Sequence, residues 1–431
     1  MLNERSCDTL VIGAGIVGIS VAYYLKELKP SLDVVLIDQA GPMELTSACS
    51  GENYRNWWPH PVMTAFTDRS IDLMEEIARD TGNAINMTRR GYALASRSAN
   101  LDDMLAELQA GYRGATDGEI RLHTGCNATY QPADSAQWQA APAGVDVITD
   151  PALIQAAFPS FADDIRSVVH IRRAGSISGQ QLGQHMLQTF RQAGGAFLRA
   201  EVVGLEAGDG FKANLSSRLP VLRAGRVVNA AGPFVNSVAR MLGCELPVSN
   251  VLQQKIAFED RERVIPRQMP FSIDLDAQFI DWTDEEKALL AADRGSAWLA
   301  DGMPGSIHCR PEGGDDGTWL KLGWAFNQMA SDPCREPMLF DNFPEVVLRG
   351  AARLNPALKA YYGRLPRNTH HYGGYYTMTE ENWPLVGALD VEGVYVAGAM
   401  SGFGTMAACA AGELCAKTVL EPARKVVERY Q

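Results

Sequence analysis

Both ends of the chain carry apolar runs broken by glycine-rich turns. Near the start, Asp8-Thr9-Leu10-Val11-Ile12 is an apolar run of strand length, and Gly13-Ala14-Gly15-Ile16-Val17-Gly18 follows it at once. Apolar residues then recur at helical spacing through Ile19-Ser20-Val21-Ala22-Tyr23-Tyr24-Leu25, and a second apolar run, Val34-Val35-Leu36-Ile37, ends on Asp38. The pattern predicts strand, tight turn, helix and strand. Near the other end, Gly393 to Ala397 predicts a strand, Gly398 to Gly404 a glycine-spaced turn, and Thr405 to Leu420 a long apolar helix.

Between these ends the periodicity changes several times. Met63, Phe66, Ile71, Met74 and Ile77 form one face of a helix from Pro61 to Asp80, with proline suited to its first turn. Met87 to Ala95 reads as a strand headed by Arg89-Arg90, Leu101 to Ala110 as a helix, and Asp150 to Phe158 as a capped helix. From Gly111 to Gly144 the chain is polar and turn-rich, and predicts no definite element. Val168 to Ile171 is a short strand, and a helix from Gly179 to Ala193 stops at Gly194-Gly195. Strands follow at 196–198, 202–205, 221–222 and 226–229. The last closes on Ala230-Ala231-Gly232-Pro233 before a helix from Phe234 to Leu242, a place for a ligand at the carboxyl edge of a parallel sheet. From Gln253 to Gly350 the runs Lys255–Phe258, Ala297–Leu299, Ser306–Arg310 and Trp319–Trp324 predict a larger, partly antiparallel sheet, with a turn at Gly313–Gly317 and a helix from Pro344 to Leu354. No internal repeat or low-complexity tract is present.

Length and composition narrow the class. A chain of 431 residues exceeds one small core, so two domains are expected. A net charge of −12 argues against nucleic acid and anionic membrane as partners. No apolar run reaches the length of a membrane span. The first apolar stretch is broken by glycines and lacks a basic leader, so it reads as a strand rather than a signal peptide, in a cytoplasmic protein. The eight cysteines (Cys7, Cys49, Cys126, Cys244, Cys309, Cys334, Cys409, Cys415) form no CxxC and no metal-ligand spacing, which predicts reduced thiols and no metal site.

The first forty residues carry the chemistry. Gly13 allows a sharp turn, Gly15 lets a pyrophosphate approach the backbone, and Gly18 lets the helix pack close to the strand. The helix N-terminus offers free N–H groups to phosphate. Asp38 falls where a carboxylate can accept both hydroxyls of an adenosine ribose. With no Arg beside it, NADP is disfavoured, and FAD or NAD remains. The small polar segment Thr46-Ser47-Ala48-Cys49-Ser50-Gly51-Glu52-Asn53 suits either a cofactor wall or an ordinary loop. Tyr54-Arg55-Asn56-Trp57-Trp58-Pro59-His60 supplies apolar walls and a cation for a substrate, or a structural corner with Arg stacked on Trp. The helix N-terminus after Gly398–Gly404 can stabilise charge on a reduced isoalloxazine, or simply pack.

Several of these motifs together resemble the D-amino-acid oxidase superfamily of FAD proteins, the group that holds monomeric sarcosine oxidase, glycine oxidase and dimethylglycine dehydrogenase. The resemblance is carried by the N-terminal glycine motif with Asp38, Thr46-Ser47 and Gly51, the Gly175 helix, Val228-Asn229-Ala230-Ala231-Gly232, Tyr376-Thr377-Met378-Thr379 with Pro384 and Gly387, and Tyr395-Val396-Ala397-Gly398 with Ser401-Gly402-Phe403-Gly404. It implies an α/β fold: a glutathione-reductase-type, Rossmann-like FAD domain from residues 1–88, 166–247 and 367–431, and a mixed-sheet substrate domain from 89–165 and 248–366. It implies FAD contacts at Gly13, Gly15, Ile16, Val17, Gly18, Asp38, Gln39, Thr46, Ser47, Ser50, Gly51, Val202, Ala231, Gly232, Gly398, Ser401, Gly402, Phe403, Gly404 and Thr405.

Leu320-Lys321-Leu322-Gly323-Trp324 is similar to the sarcosine-oxidase strand whose lysine sits over the flavin and helps oxygen accept electrons. His308 falls near that family's active-site tyrosine, Tyr376 matches a tyrosine near the substrate, and Arg55 is a further substrate-side candidate. Three departures stand out. Met406 replaces a carboxylate-binding lysine, Gly374 replaces the cysteine that carries flavin covalently, and Ala325 replaces a histidine. Simple sarcosine is therefore a poor expectation as substrate, and FAD is expected to be non-covalent. The expected reaction is oxidation of a C–N bond in an amine or N-substituted amino acid, with oxygen as acceptor. The alternatives are a dehydrogenase serving a carrier or quinone, a 2-hydroxy acid oxidase, and a non-catalytic flavoprotein.

Overall fold

The computed structural model describes residues 5–115, 118–125, 129–133, 138–216, 220–293 and 295–421; Cys126 and the last ten residues lie outside them. In chain order its strands are β1 (Arg5–Ile12), β2 (Val34–Asp38), β3 (Asn53–Arg55), β4 (Tyr92–Ser96), β5 (Ile120–His123), β6 (Val145–Ile148), β7 (Ser167–Ile171), β8 (Ala174–Ser176), β9 (Ala196–Arg199), β10 (Val202–Gly208), β11 (Gly210–Leu215), β12 (Leu222–Asn229), β13 (Ser249–Glu259), β14 (Phe271–Asp274), β15 (Ile307–Glu312), β16 (Trp319–Trp324), β17 (His370–Met378), β18 (Leu385–Ala388) and β19 (Val394–Gly398). The helices are α1 (Ile16–Leu28), α2 (Pro61–Asp80), α3 (Asp102–Gly111), α4 (Pro151–Ala157), α5 (Gly179–Gln192), α6 (Val235–Arg240), α7 (Asp284–Ala292), α8 (Phe343–Leu354) and α9 (Gly404–Leu420).

The first sheet is built around a parallel core. β19, β12, β1, β2 and β9 lie side by side in that order, all parallel, and β10, β11 and β18 add antiparallel pairs. Strands buried on both faces read as continuous apolar runs, which is why Leu10–Ile12 and Val34–Ile37 show no alternation. Helices α1, α2, α5 and α9 supply one layer of the surrounding core. α1 and α9 approach closely because Gly412 has no side chain; a Cβ there would overlap Ser20.

The second sheet has nine strands in the order β17-β13-β16-β15-β14-β4-β7-β6-β5, mostly antiparallel. Its core is capped by α8, whose Phe343, Val346, Val347 and Leu354 bury against Ile256, Phe258, Leu320 and Leu322. A two-stranded ribbon of β3 and β8 is separate from both sheets. The mixed α/β architecture, with one sheet parallel at its centre and one mostly antiparallel, follows the sequence expectation.

Two strands expected at 221–222 and 226–229 are one, β12, the strand expected from Met87 begins only at Tyr92, and one element changes type. Ala297-Trp298-Leu299, expected as a strand, is a single 3-10 turn over Ala297–Ala300. Asp293 accepts hydrogen bonds from the Gly295 N–H and the Ser296 hydroxyl, so the local side chain starts a turn. Leu299 is then buried and its carbonyl accepts from the Trp282 indole, 2.9 Å away. The seven described cysteines are free thiols. Among the described residues no helix is long and apolar enough to cross a membrane, and no cluster of His, Cys, Asp and Glu could hold a metal ion.

Candidate active site

A cavity of about 480 Å³ opens at the carboxyl ends of the parallel strands. Each of the five contributes its last residue or the next one: Gly13 after β1, Asp38 of β2, Ala200 after β9, Ala230 after β12 and Gly398 of β19. This is where an open α/β sheet presents backbone N–H groups and helix N-termini together.

Gly13 adopts φ +105, and a Cβ there would overlap the Ala230 carbonyl. Its N–H donates to Ile37 across to β2. A Cβ on Gly18 would overlap the Gly13 carbonyl, so Gly18 sets the helix–strand contact rather than lining the cavity. Asp38 receives the Ala14 N–H at 2.7 Å on one carboxylate oxygen and the Ala40 N–H at 2.8 Å on the other. The backbone thus fixes the carboxylate at the cavity edge, and each oxygen keeps a lone pair for a hydroxyl. Ser47 accepts from the Ile16 N–H at 3.0 Å, tying the 45–51 segment to the start of α1.

At the other end, Ser50 and Thr405 share a hydrogen bond of 2.7 Å, which joins that segment to the first turn of α9. Ala399 and Ser401 hold left-handed backbone angles in the turn before α9, φ +55 and +44. Such strain persists where surrounding structure enforces it, often at ligand sites. Of the twenty residues expected to contact cofactor, eighteen line this cavity; Gly18 and Phe403 do not.

The residues suit FAD on their own geometry. Thr46 keeps a buried hydroxyl with no hydrogen-bond partner facing this segment. Gly402 lies so close to the Tyr376 ring that a Cβ would come within 2.5 Å of it, so its lack of a side chain lets the phenol pack on the turn. The cradle therefore has a phosphate-compatible end at α1, a ribose-compatible acid at Asp38 and, at the far end, the glycine turn before α9 covered by Tyr376. Among the residues that would hold the group are Gly15, Asp38, Thr46 and Thr405.

The proposed catalytic side chains divide into two sets. Tyr376 lines the cavity. Arg55 lies behind it, stacked between aromatic rings: its guanidinium is 4.6 Å from the Trp58 ring centroid, 5.6 Å from Trp57 and 5.8 Å from Tyr92. This is the structural corner with Arg stacked on Trp, and among the described residues no carboxylate pairs with the arginine. Burial pushes its pKa down, yet a guanidinium stays cationic at neutral pH. Trp58 meets Phe403 edge-on at 4.9 Å, next to the glycine turn.

His308 is half-buried on β15 with its ring over Gly323, where a Cβ would collide with it, and it packs 5.0 Å from Phe271. Burial, then the nearby Lys255 charge, lower its pKa to about 3, so it is a neutral imidazole near pH 7. His170 on β7 is likewise lowered to about 3, by burial and then Arg172. A histidine that is neutral when folded takes up a proton on unfolding below pH 6.5. Stability contributed by both groups is therefore complete above that pH and falls progressively toward pH 3. Each is expected to cost about 2 kcal/mol by pH 5. Urea midpoints at pH 7 and pH 5 test this, and His170→Asn should reduce the difference.

Lys321 is absent from the cavity wall. Its ammonium pairs with Glu312 at 3.0 Å and Glu52 at 3.5 Å, and Arg310 joins Glu312 at 2.6 Å while donating to the Gly51 carbonyl. Burial, then Arg310, lower the Lys321 pKa. Glu52 in turn accepts the Gly179 N–H at the start of α5. The network fixes the Gly51–Glu52 corner, where Glu52 sits at φ +57.

Lys255 was not legible as a site residue. It lies on β13, lines the cavity, is only 5% exposed, and stands 5.6 Å from the Tyr376 ring centroid with no carboxylate partner. The signal was a polar run, Gln253-Gln254-Lys255, inside an otherwise apolar strand. Cys49, Gly374 and Tyr375 also line the cavity.

Fold and cavity together define a flavin-dependent oxidoreductase, and comparison with known proteins agrees. The profile of the DAO family, FAD dependent oxidoreductase, matches residues 8–418, so the chain belongs to that family and is an FAD-dependent enzyme. Mitochondrial dimethylglycine dehydrogenase of Homo sapiens is 25% identical over 287 residues, covering 63% of this chain and 29% of that protein. The Rattus norvegicus protein is 24% identical over 323 residues, covering 69% and 33%. The chain thus spans about a third of the length of these relatives. L-proline dehydrogenase from P. horikoshii superposes with TM-score 0.72 at 16% identity over 99% of this chain and 96% of that one. Iminodiacetate oxidase from Chelativorans sp. BNC1 gives TM-score 0.71 at 18% identity over 98% of both chains. These likenesses establish the fold.

Proposed function

We propose that the protein oxidises a C–N bond of an N-substituted amino acid or related amine. The observation that carries this reading is Arg55, an aromatic-clamped cation without a carboxylate of its own, connected through Trp58 and Phe403 to the glycine turn of the cavity. FAD, when bound, supplies the hydride acceptor for a C–H next to nitrogen, and water hydrolyses the resulting imine. The chain's own residues bind and orient. Arg55 takes the substrate carboxylate, and Trp57 and Trp58 wall the pocket. His308, neutral and surrounded by positive charge, accepts a hydrogen bond from the amine and disfavours its ammonium form. Tyr376 orients the substrate from the Gly402 side. The names of similar proteins, among them iminodiacetate oxidase and dimethylglycine dehydrogenase, support an amine substrate. The FAD and substrate domains are assigned as the five sequence stretches given above.

Oxygen is the acceptor we favour, with Lys321 on the oxygen side. Lys321→Met should then slow reoxidation on the order of tenfold or more and leave reduction nearly unchanged; stopped-flow traces with equal slowing of both halves reject the role. The carboxylates of Glu52 and Glu312 weaken the field of Lys321. That pairing favours the second reading, a dehydrogenase passing electrons to a carrier or quinone. Peroxide yield under air separates the two. The primary test is anaerobic bleaching of the flavin by N-methyl amino acids, cyclic imino acids and larger amines. No bleaching by any amine, with bleaching by 2-hydroxy acids or by nothing, defeats the proposal.

A further inference from the structure

Eight Lys and Arg side chains are buried among the described residues: Lys26, Arg90, Arg172, Arg173, Lys255, Arg310, Lys321 and Arg349. Seven have a carboxylate or carbonyl partner, as the cost of an unpaired buried charge requires. Lys255 alone has neither. Arg55 is the second cation in this region whose only neighbours of note are aromatic rings.

The two belong to one circuit of contacts. Arg55 lies against Tyr92, Tyr92 against Phe271 at 4.5 Å, and Phe271 against His308 at 5.0 Å. His308 and the Lys255 stem meet over Gly323, and the Lys255 ammonium faces Tyr376. Tyr376 covers Gly402, and Phe403 returns through Trp58 to Arg55. The circuit meets the cavity at Lys255, Tyr376 and Gly402, and contains two cations, a neutral imidazole and no carboxylate. In a protein of net charge −12, that local excess of positive charge marks a site for more than one negative group.

We propose that the substrate is an amine carrying two carboxylates, one received by Arg55 and the second by Lys255. This inference rests on the C–N oxidation reading above. A second acidic group gives Lys255 the carboxylate partner that six of the other seven buried cations already have. It also accounts for the departure at Met406: the extra cation that holds substrate is on β13 rather than in the C-terminal turn.

The test uses the FAD-loaded enzyme and two thioethers that cannot form an imine, thiodiacetate and (methylthio)acetate, titrated against the flavin spectrum. The diacid should bind at least about tenfold tighter than the monoacid, the scale of one well-formed charge pair. Lys255→Met should lower diacid affinity about tenfold and monoacid affinity much less, with flavin content intact, and Lys255→Arg should keep the preference. Equal affinity of the native enzyme for the two thioethers overturns the inference. So does a Lys255→Met enzyme that binds both as before and is slowed only in reoxidation, which would make the ring or oxygen the partner of Lys255. Bleaching by monocarboxylic amines without a diacid preference sinks this inference alone, whereas no bleaching by any amine sinks the underlying reading as well.

Discussion

Gly13→Ala is expected to give protein that purifies without flavin. The residue sits at φ +105, where a side chain is strained in any surroundings, and its Cβ would overlap the Ala230 carbonyl and approach the Ala231 Cα within 2.8 Å. Neither neighbour can turn away, because both are backbone. Relief requires separating the ends of β1 and β12, which carry Gly15 on one side and Ala231-Gly232 on the other. Strain of this kind costs about 1–3 kcal/mol in backbone angle, before any overlap is counted. The flavin-to-protein absorbance ratio and the melting temperature are the measurements. Gly208→Ala, where a Cβ meets nothing within 4 Å, is the control and should keep both. A yellow Gly13→Ala protein with unchanged melting would remove the proposed cradle.

Arg55→Met is expected to retain flavin and lose substrate. The guanidinium has no carboxylate to release, so its removal leaves no buried negative charge behind, and stacking of an unbranched side chain on Trp58 preserves the packing. What disappears is the charge-assisted contact to a substrate carboxylate. Removing one partner of such a pair costs about 2–5 kcal/mol, which is a drop on the order of 30-fold to several thousandfold in kcat/KM. The loss should sit mainly in KM, and neutral amines should be affected far less than amino acids. A variant that keeps its kcat/KM for carboxylate-bearing amines would show that Arg55 only braces the two tryptophans.

The site was legible to very different degrees at its two ends. The adenosine end is largely local: Gly13, Gly15, Gly18 and Asp38 lie within thirty residues, Gly18 is required by its contact with Gly13 and Asp38 is held by the Ala14 N–H, while Gly13 also needs its close approach to Ala230 on β12. Sequence spacing therefore carries the geometry. The substrate end is not local. Arg55, His308, Lys255 and Tyr376 come from β3, β15, β13 and β17; pairing register sets the last three in one sheet, and ring contacts through Tyr92 and Trp58 bring Arg55 to them. Lys255 faces the cavity because it stands opposite Gly323 on β16 and Tyr372 on β17. No periodicity in its own segment encodes those partners. The same holds for Lys321, whose motif is strong but whose ammonium is drawn to Glu312 and Glu52.

Ala297–Leu299 shows the limit in the other direction. Three apolar residues fit a strand by composition, but Asp293 and Ser296 beside them close a turn, and a side-chain hydrogen bond outweighs three residues of propensity. From residue order alone, this protein is an α/β flavoprotein with two glycine turns, because close backbone approach and helix-terminal donors demand glycine at fixed spacing. Which cations remain unneutralised, and hence what the ring end of the cavity can receive, was decided by the nine-stranded sheet for Lys255 and by the β3–β8 ribbon for Arg55, since charge pairing depends on distances between strands far apart in the chain.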